Sequence, residues 1–369
     1  MKKKLALILV ICMMMVALFS GCGNKDSETP SSVNTEQEKP NTRIVTDFTG
    51  KEIELPPPDE IKRVLIASPP VPSTYFDVMK GSAGLVGATE RAFTWGNSKV
   101  MDLIVPNWRE INTTWIKGNT CNVEEILALE PDLVIVYGKE QAEGLDVLPM
   151  PVLNFLESSK DNEQTTINRD KFMREIFGVD SDTSLEEEWK TANEKVAQCL
   201  SAVEGQPQPK ALMIFNNTGE KITVRGSNTY GDSWITKSGM INVAAEVEGD
   251  GVEVTMEQIY QWNPDIIIVH GGLPETDYLT NSISGQDWSQ VEAFKNGRIY
   301  YTPKGISAWT APNADSPMMA QWMVMRAYPD TYPEEEFVSN LISYYQRRYG
   351  VEITEDLAEE IIWPHGPAE

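Results

Sequence analysis

One stretch of this chain occurs twice. Asn122 to Tyr137 reads N-V-E-E-I-L-A-L-E-P-D-L-V-I-V-Y, and Thr255 to His270 reads T-M-E-Q-I-Y-Q-W-N-P-D-I-I-I-V-H. The two superpose without a gap, placing Glu124 on Glu257, Ile126 on Ile259, Pro131 on Pro264 and Asp132 on Asp265. An offset of about 130 residues between matching blocks implies an internal duplication. Each copy opens with a capping box, Asn122 with Glu125 and Thr255 with Gln258, in which cap and third helical residue satisfy each other's amides. Each helix ends at a proline, and Asp plus a bare apolar run follows, Leu133 to Val136 or Ile266 to Val269. Such a run, lacking polar alternation, suits a parallel strand buried on both faces. The duplicated unit predicts an α/β fold of two similar lobes with central, mostly parallel sheets.

The chain is long enough, at 369 residues and 41% hydrophobic, to give each lobe a core. Its N-terminus is separate. Lys2, Lys3 and Lys4 precede an apolar run from Leu5 to Phe19, the pattern of an export signal and short of the ~18 residues of a membrane span. The run stops at Leu18-Phe19-Ser20-Gly21-Cys22, which resembles the lipobox of bacterial lipoproteins, with Phe19 where leucine is usual. That resemblance implies cleavage after residue 21 and a lipid on Cys22. Residues 22–42 hold too little apolar surface to bury and are expected to form a disordered tether. A flexible chain of that length reaches about 25 Å.

The net charge of −24 becomes −27 once the three signal lysines are removed. Phosphate recognition needs basic patches, so nucleic acid is excluded as a partner. Outside the signal and Cys22 only Cys121 and Cys199 remain, too few for a disulfide framework or a thiolate metal site. A single bridge between them stays open.

In chain order, a hairpin is expected at Arg43–Asp47 and Glu52–Leu55, then strands at Arg63–Ala67 and Gly84–Ala88 with a helix near Ser73–Lys80 between them. The N-terminal lobe spans 43–165 and a helical connector 166–207. Within the connector, Ser184 to Val203 contains no Gly or Pro, so one long, stiff helix is expected. The C-terminal lobe, 208–369, opens with a strand at Ala211–Phe215 and closes with helices near Met318–Ala327 and after Pro333 and Thr354.

Several segments in this order carry a resemblance: the D-x-x-G-K at Asp47, the block from Asn122, S-G-M-I-N-V-A at Ser238, N-P-D-I-I-I at Asn263 and V-E-A-F-K-N-G-R-I-Y at Val291. From Arg43 onward the chain resembles the solute-binding lipoproteins of ABC importers for iron-siderophores, haem and cobalamin, the class III type with two lobes joined by one backbone helix. The resemblance implies a monomeric, extracytoplasmic receptor that captures a metal chelate between its lobes. It also implies delivery of that chelate to a permease dimer with its ATPase. One acidic residue per lobe docks on the permease in such receptors, and Glu124 and Glu257 match those positions. A carboxylate in a helix first turn also complements the helix dipole by ~0.3 to 1 kcal/mol, so charge alone does not assign the role.

Ligands of parallel α/β sheets bind beyond the carboxyl ends of strands. That rule nominates Tyr137 and His270, and loops after other strands add Tyr75, Arg91, Trp95, Tyr230, Trp234 and Trp309. Tyr75 and Trp309 are favoured by the Pro-rich or Gly-containing loops around them, and Trp234 has a core role as its alternative. Aromatic walls suit a flat or hydrophobic chelate, and Arg91 suits an acidic oxygen on it. Only His270 and His365 exist, so a bare-metal site is not expected. His270 reads as an axial ligand to haem or cobalt, or as a hydrogen-bonding residue at a strand end. The acidic balance weighs against a highly anionic complex, although net charge is a poor guide to a local cleft. No nucleophile elbow, phosphate-binding glycine loop or catalytic His-carboxylate cluster is present, so no enzyme activity and no catalytic residue is expected. A ferric siderophore leads among the ligands, before cobalamin and haem, and a surface or sensory protein without a transport role is the alternative.

Overall fold

The structure, a computed structural model, describes residues 42–180 and 184–365, which belong to one compact unit. The export signal, Cys22 and most of the tether lie outside the described residues. Both copies of the repeat form the expected helix and strand: Val123–Ala128 then Leu133–Val136, and Met256–Trp262 then Ile266–Val269. All eight strand residues are fully buried. The helix starts are capped from one side only. Asn122 accepts the amides of Glu124 and Glu125, and Thr255 that of Gln258. The reciprocal half of each capping box is diverted, since Glu125 accepts from the Thr114 hydroxyl at 2.9 Å and Gln258 donates to Glu246 at 3.2 Å.

The equivalence deepens at the helix ends. Glu130 and Asn263, each just before a proline, both take left-handed backbone at φ 45° and 42°. Proline disfavours right-handed helix in its predecessor, and these turns resolve the clash the same way. Asp132 Oδ2 then accepts the amides of Lys62 and Arg63 at 2.8 and 2.9 Å, and Asp265 Oδ2 accepts that of Lys210 at 2.8 Å. In return the Arg63 guanidinium donates to the carbonyls of Leu129 and Glu130, and Lys210 Nζ to that of Trp262. In each lobe, carboxylate and cation lock the end of a helix to the start of the neighbouring strand.

These clamps sit in two different sheets. The first is four-stranded and wholly parallel, in the order Leu85–Ala88, Val64–Ile66, Leu133–Val136, Val152–Asn154. The second is six-stranded and mixed. Lys210–Asn217, Ile266–Val269 and Ile299–Tyr301 run parallel, with Ile241–Asn242 beside the first of them. Ile222–Arg225 and Asp250–Val254, unforeseen as strands, extend it antiparallel. The opening hairpin forms over Arg43–Thr46 and Glu52–Leu55, and buried Asp47 ties it to the first sheet by accepting the Asn154 amide at 3.1 Å.

The connector departs from the expected single helix over 166–207. Asn162–Phe177 is one helix, stopped by left-handed Gly178, whose amide and that of Val179 both return to the Arg174 carbonyl. Leu185–Ala202 is the second, matching the stretch without Gly or Pro. The indole of Trp189 donates to the Thr166 hydroxyl at 2.8 Å and joins the two. The closing helices, Ser316–Ala327, Glu334–Tyr349 and Glu355–Ile362, do not stay with the second lobe. Arg348 is fully buried and pairs with Asp77 on the first-lobe helix Val71–Met79, with Asp170 at 3.6 Å. Cys121 and Cys199 are both free thiols. Among the described residues no helix is long and apolar enough to cross a membrane.

A carboxylate accepting backbone amides contributes about 1–2 kcal/mol net at such a partly exposed site. Asp132→Ala and Asp265→Ala should each lower unfolding stability by about that amount. Urea denaturation checks this, and unchanged midpoints for both would show the clamps to be ornamental.

Candidate functional site

A cavity of about 430 Å³ lies between the two lobes. Every strand of the first sheet contributes to it a residue one or two positions beyond its carboxyl end: Ala67 and Ser68, Thr89, Tyr137 with Gly138, and Leu156. The second lobe supplies Arg225, Tyr230 and the stretch Thr310–Pro312, and the helix Asn162–Phe177 supplies Arg169. The strand-end rule thus places the cleft correctly.

Of the residues nominated from sequence, Arg91, Trp95, Tyr137 and Tyr230 line this cavity. Arg91 is exposed and lies over the Trp95 ring, 5.7 Å from its centroid. Tyr137 holds the Arg169 guanidinium against its ring at 5.4 Å. Tyr230 donates its hydroxyl to the Ser159 carbonyl at 3.2 Å, and burial, with Tyr137 beside it, pushes its phenol up to about 12.

The other four do not face the cavity. Tyr75 is buried in the first-lobe core, packed on Phe76 and Phe177, with its hydroxyl donated to the Ala83 carbonyl at 2.5 Å. The proline loop before it ends sooner than expected, and the helix Val71–Met79 turns Tyr75 inward. Trp234 is fully buried, stacked on Trp189 at 6.2 Å, and its indole donates to the Thr310 carbonyl. Trp309 is fully buried as well. Its indole donates at 2.9 Å to Asp315, a carboxylate that also accepts from the Ile306 amide and the hydroxyls of Tyr345 and Tyr349. The loop was rightly placed, but its neighbours Thr310–Pro312 reach the cavity instead.

His270, the counterpart of Tyr137, turns aside. Its Nδ1 is 2.5 Å from the Thr310 hydroxyl and its ring lies 5.8 Å from that of Phe215. The strand-end hydrogen-bonding role therefore describes it, and the position orders a cavity loop without lining the cavity. Burial, with Arg225 and Lys304 nearby, drives its imidazole down to about 3. Among the described residues no group of three or more His, Cys, Asp or Glu side chains is placed to hold a metal ion.

Sequence reasoning missed Ser68, Arg169 and Arg225. Arg169 sits within a helix and carries no motif, and Arg225 arrives on an antiparallel strand to which the strand-end rule does not apply. Arg169 is almost fully buried, and its Nη1 donates to the Pro312 carbonyl at 2.9 Å while Nη2 lies 3.4 Å from the Tyr137 hydroxyl. One guanidinium therefore touches both lobes. Arg225 is buried over the Phe215 ring at 4.8 Å and pairs with Asp250 at 2.6 Å. Glu157, also buried, lies within the field of Arg169 without an ion pair, and its burial raises the carboxyl above its usual range.

Glu124 and Glu257 are both exposed in the first turns of the repeat helices. Glu257 is held below the usual carboxylate range by its own amide and the Thr255 hydroxyl.

Comparison with known proteins points one way. The family described as "Periplasmic binding protein" matches residues 114–305, more than half of the chain. The molybdate-binding protein MolA of Haemophilus influenzae is 23% identical over 333 residues, covering 83% of this chain and 91% of that protein. An uncharacterized ABC transporter substrate-binding lipoprotein of Bacillus subtilis, YvrC, is 23% identical over 225 residues, or 58% of this chain and 67% of its own length. A periplasmic solute binding protein from Veillonella parvula superposes with a TM-score of 0.71 at 27% identity, covering 88% of this chain and 97% of that one.

A histidine whose folded value lies below its unfolded value of about 6.5 favours the native state above that pH. This stability is lost as pH falls through 6.5 towards 3, because only the unfolded chain takes up the proton. His270 should stay neutral in imidazole NMR down to pH 4.5, and His270→Asn should flatten the acid limb of the stability curve. A His270 resonance titrating near 6.5 would contradict the buried arrangement.

Proposed function

Because this chain belongs to the periplasmic binding protein family, we propose that it is the lipid-anchored, extracytoplasmic receptor of an ABC importer, capturing a metal chelate between its lobes. A ferric siderophore is the leading cargo, before cobalamin and haem. The observation that carries this reading is the inter-lobe cavity, whose 430 Å³ falls within the roughly 300–1,000 Å³ of sites for organic ligands. Its aromatic walls come from both sides, Trp95 and Tyr137 from one lobe and Tyr230 from the other. Rings of this kind suit the ligand shell of a chelate better than a bare ion.

The remaining parts of the reading follow from the chain's own features. The substrate-binding component of an ABC importer works with a permease dimer and its ATPase, and Glu124 and Glu257 occupy equivalent exposed places on duplicated lobes. Two carboxylates so related suit a partner with two-fold symmetry. The lipobox-like end at Cys22 supplies the anchor, as in the similar lipoprotein of Bacillus subtilis. One observation favours a second cargo: the relative matched over 91% of its length is a molybdate-binding protein.

Titration of intrinsic tryptophan fluorescence with ferric siderophores, cobamides, haem and molybdate tests the reading. A chelate should quench the wild type, and Trp95→Phe should remove most of the response. Saturation by molybdate with silence towards every chelate would overturn the chelate in favour of the second cargo. Glu124→Arg combined with Glu257→Arg should leave ligand affinity unchanged and abolish uptake in cells. Normal uptake by that variant would remove the docking role.

A further inference from the structure

The charge around the cavity runs against that of the chain. The protein carries −24 overall, yet the cavity is lined by Arg91, Lys139, Arg169 and Arg225 against one carboxylate, Glu140. Glu140 is already engaged, accepting from the Asn119 amide at 2.8 Å. Among the described residues, Arg91 and Arg169 form no ion pair, and Arg225 uses only Nη1 on Asp250. The Nε of Arg169, the Nε of Arg225 and the hydroxyl of Ser68 are buried without hydrogen-bond partners. Buried donors are nearly always satisfied in native proteins, so a cluster of orphans against one cavity points to a group they receive from outside. The helix Val71–Met79 starts directly after Pro69 and Pro70, which line the same space, and its amino end adds positive potential.

Desolvated guanidiniums are costly unless a negative charge offsets them. Glu157 is a buried carboxylate within the field of Arg169 that makes no ion pair with it. It does not cancel the excess, because Glu140 and Glu157 together still face four cations, Arg91, Lys139, Arg169 and Arg225.

We propose that this side of the cavity is an anion subsite, in which Ser68, Arg91, Arg169 and Arg225 receive a compact anionic group of the cargo. The group is the acidic function of a metal chelate or a metal oxyanion standing alone; in both cases the shared chemistry is negatively charged oxygen. The inference rests on the cavity being the solute site. It adds that an uncharged chelate is rejected, because such a cargo covers Arg91 and Arg169 without an ion-pair partner and leaves Arg225 Nε without an acceptor. It also corrects the expectation that the acidic composition disfavours anionic cargo.

Isothermal titration of the full chain with molybdate, an anionic ferric tris-catecholate and an uncharged ferric tris-hydroxamate, at low and high salt, tests it. An anionic probe should bind, more weakly as salt rises, and the hydroxamate should not compete. Arg91→Gln and Arg225→Gln should each weaken that binding about tenfold or more, as expected for a lost charge-assisted bond. Should Arg225→Gln fail to fold, the exposed Arg91 decides the matter. Hydroxamate binding as tight as that of the catecholate overturns the subsite and leaves the chelate reading standing. Arginine-dependent molybdate binding without either chelate supports the subsite and overturns the chelate reading. Anion binding indifferent to salt and to both variants overturns the subsite, as does the absence of binding by all three.

Discussion

Both lobes depend on the same small exchange between backbone and side chains. An aspartate at the start of one strand accepts an amide at the start of the next, and a cation from that second strand takes up the open carbonyls of the preceding helix. The pairing fixes register and direction together. Once Leu133–Val136 runs parallel to Val64–Ile66, and Ile266–Val269 to Lys210–Asn217, the residues beyond their carboxyl ends are fixed as well. In the first lobe these residues become the cavity wall. The cavity is thus a consequence of how the strands begin, some four residues upstream of where they end.

Most of this scaffold is legible in the sequence because it obeys local rules. The caps at Asn122 and Thr255, the prolines, the buried apolar runs and Gly178 all act within a few residues of themselves. What escapes is decided at a distance. Trp309 and Trp234 look like cleft aromatics until Asp315 and the Thr310 carbonyl claim their indole N–H groups, and neither partner is predictable from spacing. Tyr75 falls on the helix face that packs into the core, where the Ala83 carbonyl takes its hydroxyl. Arg169 is the reverse case, an unremarkable helical residue in the sequence that the fold sets between Tyr137 and Pro312. His270 shows that even a true repeat need not repeat its function. Its counterpart Tyr137 lines the cavity, while His270 is drawn to Thr310.

The charge of the cavity also differs from that of the chain as a whole. A chain of net charge −24 concentrates three arginines at one internal surface. Carboxylates spread over the exterior are screened by water and salt within about 10 Å, whereas guanidiniums in a sheltered cavity are not. The acidic exterior and the cleft therefore answer to different local fields.

The buried pair of Asp77 and Arg348 ties the beginning of the chain to its end, 271 residues apart. Lys80 also reaches Asp77, at 3.2 Å, but from a half-exposed position, so the inner oxygen of that carboxylate is met by Arg348. Removing one member of such a buried pair leaves the other under-compensated, a loss of about 3–5 kcal/mol. The first lobe therefore draws part of its core from the last helices of the chain, and the two ends of the sequence are stabilised together.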